Sequence, residues 1–156
     1  MDAFEEAALR RARELGLRPP TRGAVLFLWP TFHPALAVVL EDLGGDGWWL
    51  QVLGGVAQDR LGSLVDELLP AEQGAGLFGD LANAAVRPRR HLGGTVRDGI
   101  GGAAWVNAGR AIELGGHFAL LGPEDPLHHV TARLLDAVEA RVPGPVAVVR
   151  SHLRTR

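Results

Sequence analysis

The chain of 156 residues is 47% hydrophobic and 22% charged, a composition that excludes an intrinsically disordered protein and leaves enough apolar side chain for one ordinary core. Its 16 basic residues, all arginine, stand against 18 acidic ones, and the resulting charge of −2 excludes a long-range positive field drawing the whole molecule onto nucleic acid or an anionic membrane. It contains no cysteine, which excludes disulfides, thiolate nucleophiles and Cys-ligated zinc.

Arginine without a single lysine, together with only two isoleucines and much Ala, Gly, Leu and Val, reads as the bias of a GC-rich coding sequence. Each arginine therefore carries less functional information than usual. Met1 to Arg18 is charged and amphipathic, with no apolar core of a secretory signal, so a cytoplasmic protein is expected.

Asp2 to Leu15 is predicted as a helix, with Phe4, Ala8, Ala12 and Leu15 on its apolar stripe. Gly23 to Leu40 lacks formal charge, but Pro30, Pro34 and His33 near its middle suit a turn between strands and not a membrane-spanning helix. Strands are predicted at Ala24 to Trp29, Ala35 to Glu41 and Trp48 to Leu53, joined by short turns into an antiparallel meander. Both faces of that meander are apolar. Trp48 and Trp49, being adjacent, must point to opposite faces, so the side away from the first helix needs cover from the rest of the chain or from another chain.

Asp59 to Leu69 is predicted as a short helix, because Leu61, Leu64, Val65 and Leu68 recur at helical spacing between a candidate N-cap, Asp59, and Pro70. Gly74, Gly76 and Gly79 then suggest a loop, with a turn or two of helix from Asp80 to Val86 and a possible sub-boundary of the single expected domain across 71–90. A second antiparallel sheet is predicted from Leu92 to Val96, Ala103 to Asn107, Arg110 to Leu114 and Phe118 to Leu121. Asp125 before Pro126 reads as a helix start, and Leu127, Val130, Leu134 and Val138 carry that helix to Arg141. Val146 to Val149 is predicted as a last strand, followed by a basic tail from Arg150. The fold class is thus α+β, the alternative being a mainly β chain with an immunoglobulin-like C-terminal half containing a strand at Val130 to Leu135.

Catalytic patterns fail in turn. Gly74-Ala75-Gly76-Leu77-Phe78-Gly79 spells a dinucleotide fingerprint, but no strand delivers it to a helix N-terminus. The hydroxyls at Ser63, Ser151, Thr21, Thr31, Thr95, Thr131 and Thr155 lie in no nucleophile motif. No histidine pair has metal-ligand spacing, and no metal or other cofactor is favoured; the alternative is a cluster of His117, Glu124, Asp125 and His129 near one helix entry. Arg87, Arg89, Arg90 and Arg97 form a basic cluster without the stacking aromatics or reading helix of a nucleic-acid module.

What remains is the Trp48-Trp49 pair on a sheet with two apolar faces. Aromatic residues are enriched where proteins meet. The sequence therefore favours a non-enzymatic protein that binds a partner or itself, as an adaptor, chaperone, immunity-type protein or assembly component, through Trp48 or Trp49. No nucleic-acid or membrane partner is expected. The alternatives are a small metal- or acid-dependent enzyme built on the His117 cluster and a small-molecule binder with a pocket between sheets.

Overall fold

The computed structural model describes residues 2–57, 59–92, 94, 96 and 99–154. In chain order these form α1 (Ala3–Glu14), β1 (Gly23–Pro30), β2 (Leu36–Asp42), β3 (Trp48–Ala57), β4 (Arg60–Leu69), α2 (Ala71–Ala85), β5 (Ile100–Asn107), β6 (Ala111–His117), α3 (Pro126–Val138) and α4 (Pro143–Arg154). The class is α+β, as expected. No helix among the described residues is long and apolar enough to cross a membrane.

The strands form one antiparallel sheet in the order β4-β3-β2-β1-β5-β6, which corrects the expectation of two sheets. β1 pairs with β2 from Gly23↔Glu41 to Leu28↔Leu36 and, along its other edge, with β5 from Gly23↔Asn107 to Pro30↔Ile100. The physical reason is β1 itself. A strand buried on both faces cannot be left with a free row of backbone donors and acceptors, and the apolar run of β5 satisfies it.

Side-chain alternation divides the core into two layers. Leu26, Leu28, Val38, Leu40, Trp48, Leu50 and Val52 face α2, α3 and α4, whereas Val25, Phe27, Ala37, Ala103 and Trp105 lie on the side of α1. At about 25 cal/mol per Å² of apolar surface, these two layers are the main stabilising term.

Two elements of the middle region differ from the expected ones. Asp59 to Leu69 is not a helix: Asp59 lies in the turn after β3, and β4 pairs with β3 from Ala57↔Arg60 to Trp48↔Leu69. Val52 pairs with Val65 but Leu53 with Ser63, so Leu64 is the extra residue of a bulge. By interrupting the period of two, the bulge leaves Leu61, Leu64, Val65 and Leu68 at spacings that imitate a helix.

Ala71 to Ala85, expected as a glycine-rich loop, is a helix of 15 residues with Gly74, Phe78, Leu81, Ala84 and Ala85 on its buried face. Gly74 belongs to that face because a Cβ there would fall 2.2 Å from Cγ of Trp48. Glycine at a contact position erased the periodicity that marks a helix.

The C-terminal third departs from expectation at its end. Asp125 caps α3, its carboxylate accepting from the Leu127 amide at 2.9 Å, and Val130, Leu134, Leu135 and Val138 are buried along it. The strand from Val130 to Leu135, and the immunoglobulin-like half with it, is thereby overturned. Val146 to Val149 and Arg150 belong to α4 and not to a strand and tail, since Val146 and Val149 face the core one turn apart while Arg150 reaches Asp136 at 2.7 Å. Thr155 and Arg156 lie outside the described residues.

The expected strand from Leu92 to Val96 includes Gly93 and Thr95, which also lie outside them; beside it, His91 makes an isolated bridge to Leu121. Phe118 to Leu120 is one turn of 3₁₀ helix in place of a strand.

Candidate interaction surface

Among the described residues, three helices cover one face of the sheet and one covers the other. α1 lies over β5, β6 and the near side of β1. Neighbouring strands are about 4.8 Å apart and a helix with its side chains is about 10 Å across, so a six-stranded sheet has room for a second helix beside α1.

The uncovered strip is the α1-side face of β2, β3 and β4. By strand parity and register it carries Val39 and Glu41 from β2, Trp49, Gln51 and Leu53 from β3, and Leu61, Ser63, Asp66 and Leu68 from β4. Val39, Trp49, Leu53 and Leu61 are half-buried, and Leu68 is exposed. Trp49 stands between Glu41 and Leu68 on the neighbouring strands, and its indole N–H donates to Asp66.

The tryptophan pair therefore points to opposite faces, as the period of two requires. Trp48 is buried against Phe78 of α2 with ring centroids 4.9 Å apart. Trp49 lies on the open strip.

At one end the strip deepens into a groove of about 640 Å³ between α1 and the β3–β4 hairpin. Arg11 and Leu15 of α1 form one wall, Trp29, Ala35, Gly55 and Leu61 the floor, and Val56 and Arg60 the other wall. The β1–β2 turn closes the end with Phe32, which is 92% exposed and is the one described non-glycine residue at positive φ, +65°. Phe32 is held there by its neighbour, for the Thr31 amide donates to the Gly99 carbonyl at 2.8 Å and Thr31 Oγ1 accepts from the Gly99 amide at 3.2 Å. An aromatic fixed in a sparsely populated conformation and pointed at solvent is a mark of function more than of folding.

Sequence reasoning did not find Trp29, Phe32, Leu53, Leu61, Arg11 or Arg60. The shared parity of Val39, Trp49 and Leu53 was a usable signal, but the strip becomes visible only once β4 is known to be a strand.

The four residues of the alternative metal cluster have different roles. Glu124 Oε2 and His129 Nε2 are 3.3 Å apart, and the Arg87 guanidinium lies 3.0 Å from the first and 3.1 Å from the second, so a cation already occupies that corner. The fully buried Asp125 accepts from the Leu127 and Arg90 amides and from Arg89 Nε. His117 caps the 3₁₀ turn, Nδ1 accepting from the Ala119 amide at 3.2 Å, and meets the Phe4 ring edge-on.

Among the described residues, acidic and histidine ligand atoms converge instead at Asp2, Glu5 and His91. There Asp2 caps α1, and Glu5 lies 3.4 Å from His91 and 3.7 Å from Arg89, which fastens α1 to the segment before the His91 bridge. The basic cluster is likewise engaged internally at Arg87 and Arg89; Arg97 lies outside the described residues. Gly74 to Gly79, the apparent dinucleotide fingerprint, is helix interior.

The carboxyl of Glu67 is perturbed by its neighbour Arg141. Hydrogen bonds from the Arg141 guanidinium hold its carboxyl below the usual glutamate range, reinforced by the charge of Arg141 and opposed by desolvation. That pair ties β4 to the end of α3.

No protein-family model, curated protein or solved structure matches the chain.

Proposed function

We propose that the chain is a non-enzymatic interaction module that binds a protein through the open strip of β2, β3 and β4 beside α1. The observation that supports this reading is the unequal cover of the sheet: α1 rests chiefly on β5 and β6, and the strip beside it carries Val39, Trp49, Leu53, Leu61 and Leu68. Half-buried apolar side chains left on an open sheet face offer a partner a place to dock, and tryptophan is enriched among hot-spot residues. Polar Glu41, Gln51, Ser63 and Asp66 among the apolar positions allow the free chain to tolerate water on this face.

A photo-crosslinking residue at Gln51, in the centre of the strip, tests the reading against one at Arg110 in the distant β5–β6 turn. A crosslinked protein species is expected from position 51 and not from 110, and Leu53→Asp should abolish it. Equal yields from the two positions, or yields that Leu53→Asp leaves unchanged, would remove the support for this surface.

A further inference from the structure

We propose that the chain binds a small apolar ring compound in a pocket on the helix-covered face of the sheet, a site that goes beyond the interaction strip and does not depend on it. The pocket, of about 310 Å³, lies where the start of β2, the β3–β4 hairpin and α4 converge. Leu36 comes from β2, Val56 and Leu64 from the hairpin, and Pro145, Val148 and Val149 from α4.

Local sequence builds each wall. Leu64 is the extra residue of the β4 bulge, and a bulge re-aims a side chain. It lies across Gly54, where a Cβ would fall 2.9 Å from Leu64 Cδ1. Gly54 pairs with Leu36 in the layer that faces the helices, so Leu64 is brought to that side of the sheet. On α4 opposite, Val149 is buried and Val148 stands exposed at the mouth. Pro34 and Pro145, each with a fixed φ, stiffen the two flanks. His33 meets the His152 ring edge-on with centroids 4.8 Å apart, joining the β1–β2 turn to α4. The walls are thus pre-formed, as those of small-molecule sites usually are.

Size decides the occupant. One turn of helix with its side chains, about 10 Å wide and 5.4 Å long, takes about 400 Å³ and does not fit. At about 30 Å³ for each water displaced, the pocket has room for roughly ten waters, and so for a molecule of about ten non-hydrogen atoms. Water against Leu36, Leu64 and Val149 gains no hydrogen bonds from those side chains. Val56, Leu64 and Val148 are exposed around the mouth, so a ring of matching size removes apolar surface of protein and ligand from water together. A partner's aromatic side chain would put a ring here only by pressing its flanking peptide groups against Val56 and Val148, where their hydrogen bonds to water are lost.

The test titrates indole into the full ¹⁵N-labelled chain and follows the amide resonances. Saturable shifts are expected at Ala35, Gly54, Gly55 and Val149. Val148→Phe, which narrows the mouth, and Val148→Glu, which charges it, are each first shown by circular dichroism melting to fold, and each should weaken indole at least about tenfold. Leu53→Asp, on the opposite face, should leave it unchanged. N-acetyltryptophanamide, the same ring with its peptide groups, should bind at least about tenfold more weakly than indole.

Absence of saturable shifts up to the solubility of indole overturns the proposal. Shifts confined to other amides, or shifts at these amides that both Val148 variants leave unchanged, overturn it as well. N-acetyltryptophanamide binding as tightly as indole makes a partner's side chain the occupant and removes the assignment to a free molecule. Because Leu53 lies on the other face, loss of the Gln51 crosslink without loss of indole binding would sink the interaction reading alone.

Discussion

Gly74 of α2 stands against the ring of Trp48 so closely that a Cβ at position 74 would lie 2.2 to 2.4 Å from three Trp48 carbons. Backbone and indole are in direct contact, and this is how α2 comes down onto the sheet. Alanine favours a helix interior over glycine by about 1 kcal/mol, but that gain cannot offset an overlap with a buried ring that has no free space to move into. Gly74→Ala should destabilise the fold by about 2 kcal/mol or more in urea melts. Gly76→Ala is the control: nothing lies within 4 Å of its Cβ position, so the same change two residues on should stabilise by about 0.5 to 1 kcal/mol. Equal effects at the two positions would disprove the contact.

Trp48 and Trp49 should respond differently to truncation. Trp48→Ala opens a cavity against Phe78 and should cost about 3 to 5 kcal/mol of stability. Trp49→Ala removes a half-buried ring from the open strip, so its melting temperature should change far less while partner binding falls. Chemical denaturation of both variants, with crosslinking from Gln51 in the second, separates the two roles.

Asp125 holds together parts distant in sequence by accepting from the Leu127 amide, the Arg90 amide and Arg89 Nε. Replacing it by Ala removes the cap of α3, leaves the Arg90 amide without its acceptor and takes the buried countercharge from Arg89. The expected loss is about 3 kcal/mol or more by denaturant unfolding. Asp125→Asn keeps one acceptor and should cost less. A neutral Asp125→Ala variant would show that the segment before His91 is fastened elsewhere.

The Glu67–Arg141 pair makes stability depend on acid. Because the folded carboxyl titrates below its unfolded value of about 4.3, the pair contributes fully above that value and its contribution is lost as the pH falls through the lowered one. Thermal melts from pH 7 to pH 3 should show a smaller acid-induced drop for Glu67→Gln than for the wild-type chain. Parallel curves would remove Glu67 from the acid response.

The helices with ordinary signals were legible in the sequence: α1 by its apolar stripe of Phe4, Ala8, Ala12 and Leu15, and α3 by Asp125 with Pro126 at its start. The meander was legible because its apolar runs are separated by Pro and Gly turns. β4 was not, since the bulge at Leu64 shifts its period, and α2 was not, since Gly74 stands where a large residue would have marked the buried face. The pairing of β1 with β5 is decided by which strand satisfies a distant edge, and no local pattern records that. The same holds for the candidate site. Trp49 was found by its parity with Trp48, but the strip around it is composed of three strands, one of which reads as a helix.

The double pairing of β1 also bears on how the chain is made. β2 follows β1 after a short turn, whereas the strand that completes its other edge begins at Ile100, beyond β3, β4 and α2. At the usual pace of about 5 to 20 residues per second, a ribosome needs several seconds to supply it. During that interval the nascent chain displays an unpaired edge of Val, Leu and Phe residues, the kind of surface on which chains aggregate. Recovery of the protein from cells should then depend on how quickly the stretch after α2 is translated, with slow codons there lowering the yield of folded chain while leaving the stability of the finished molecule untouched.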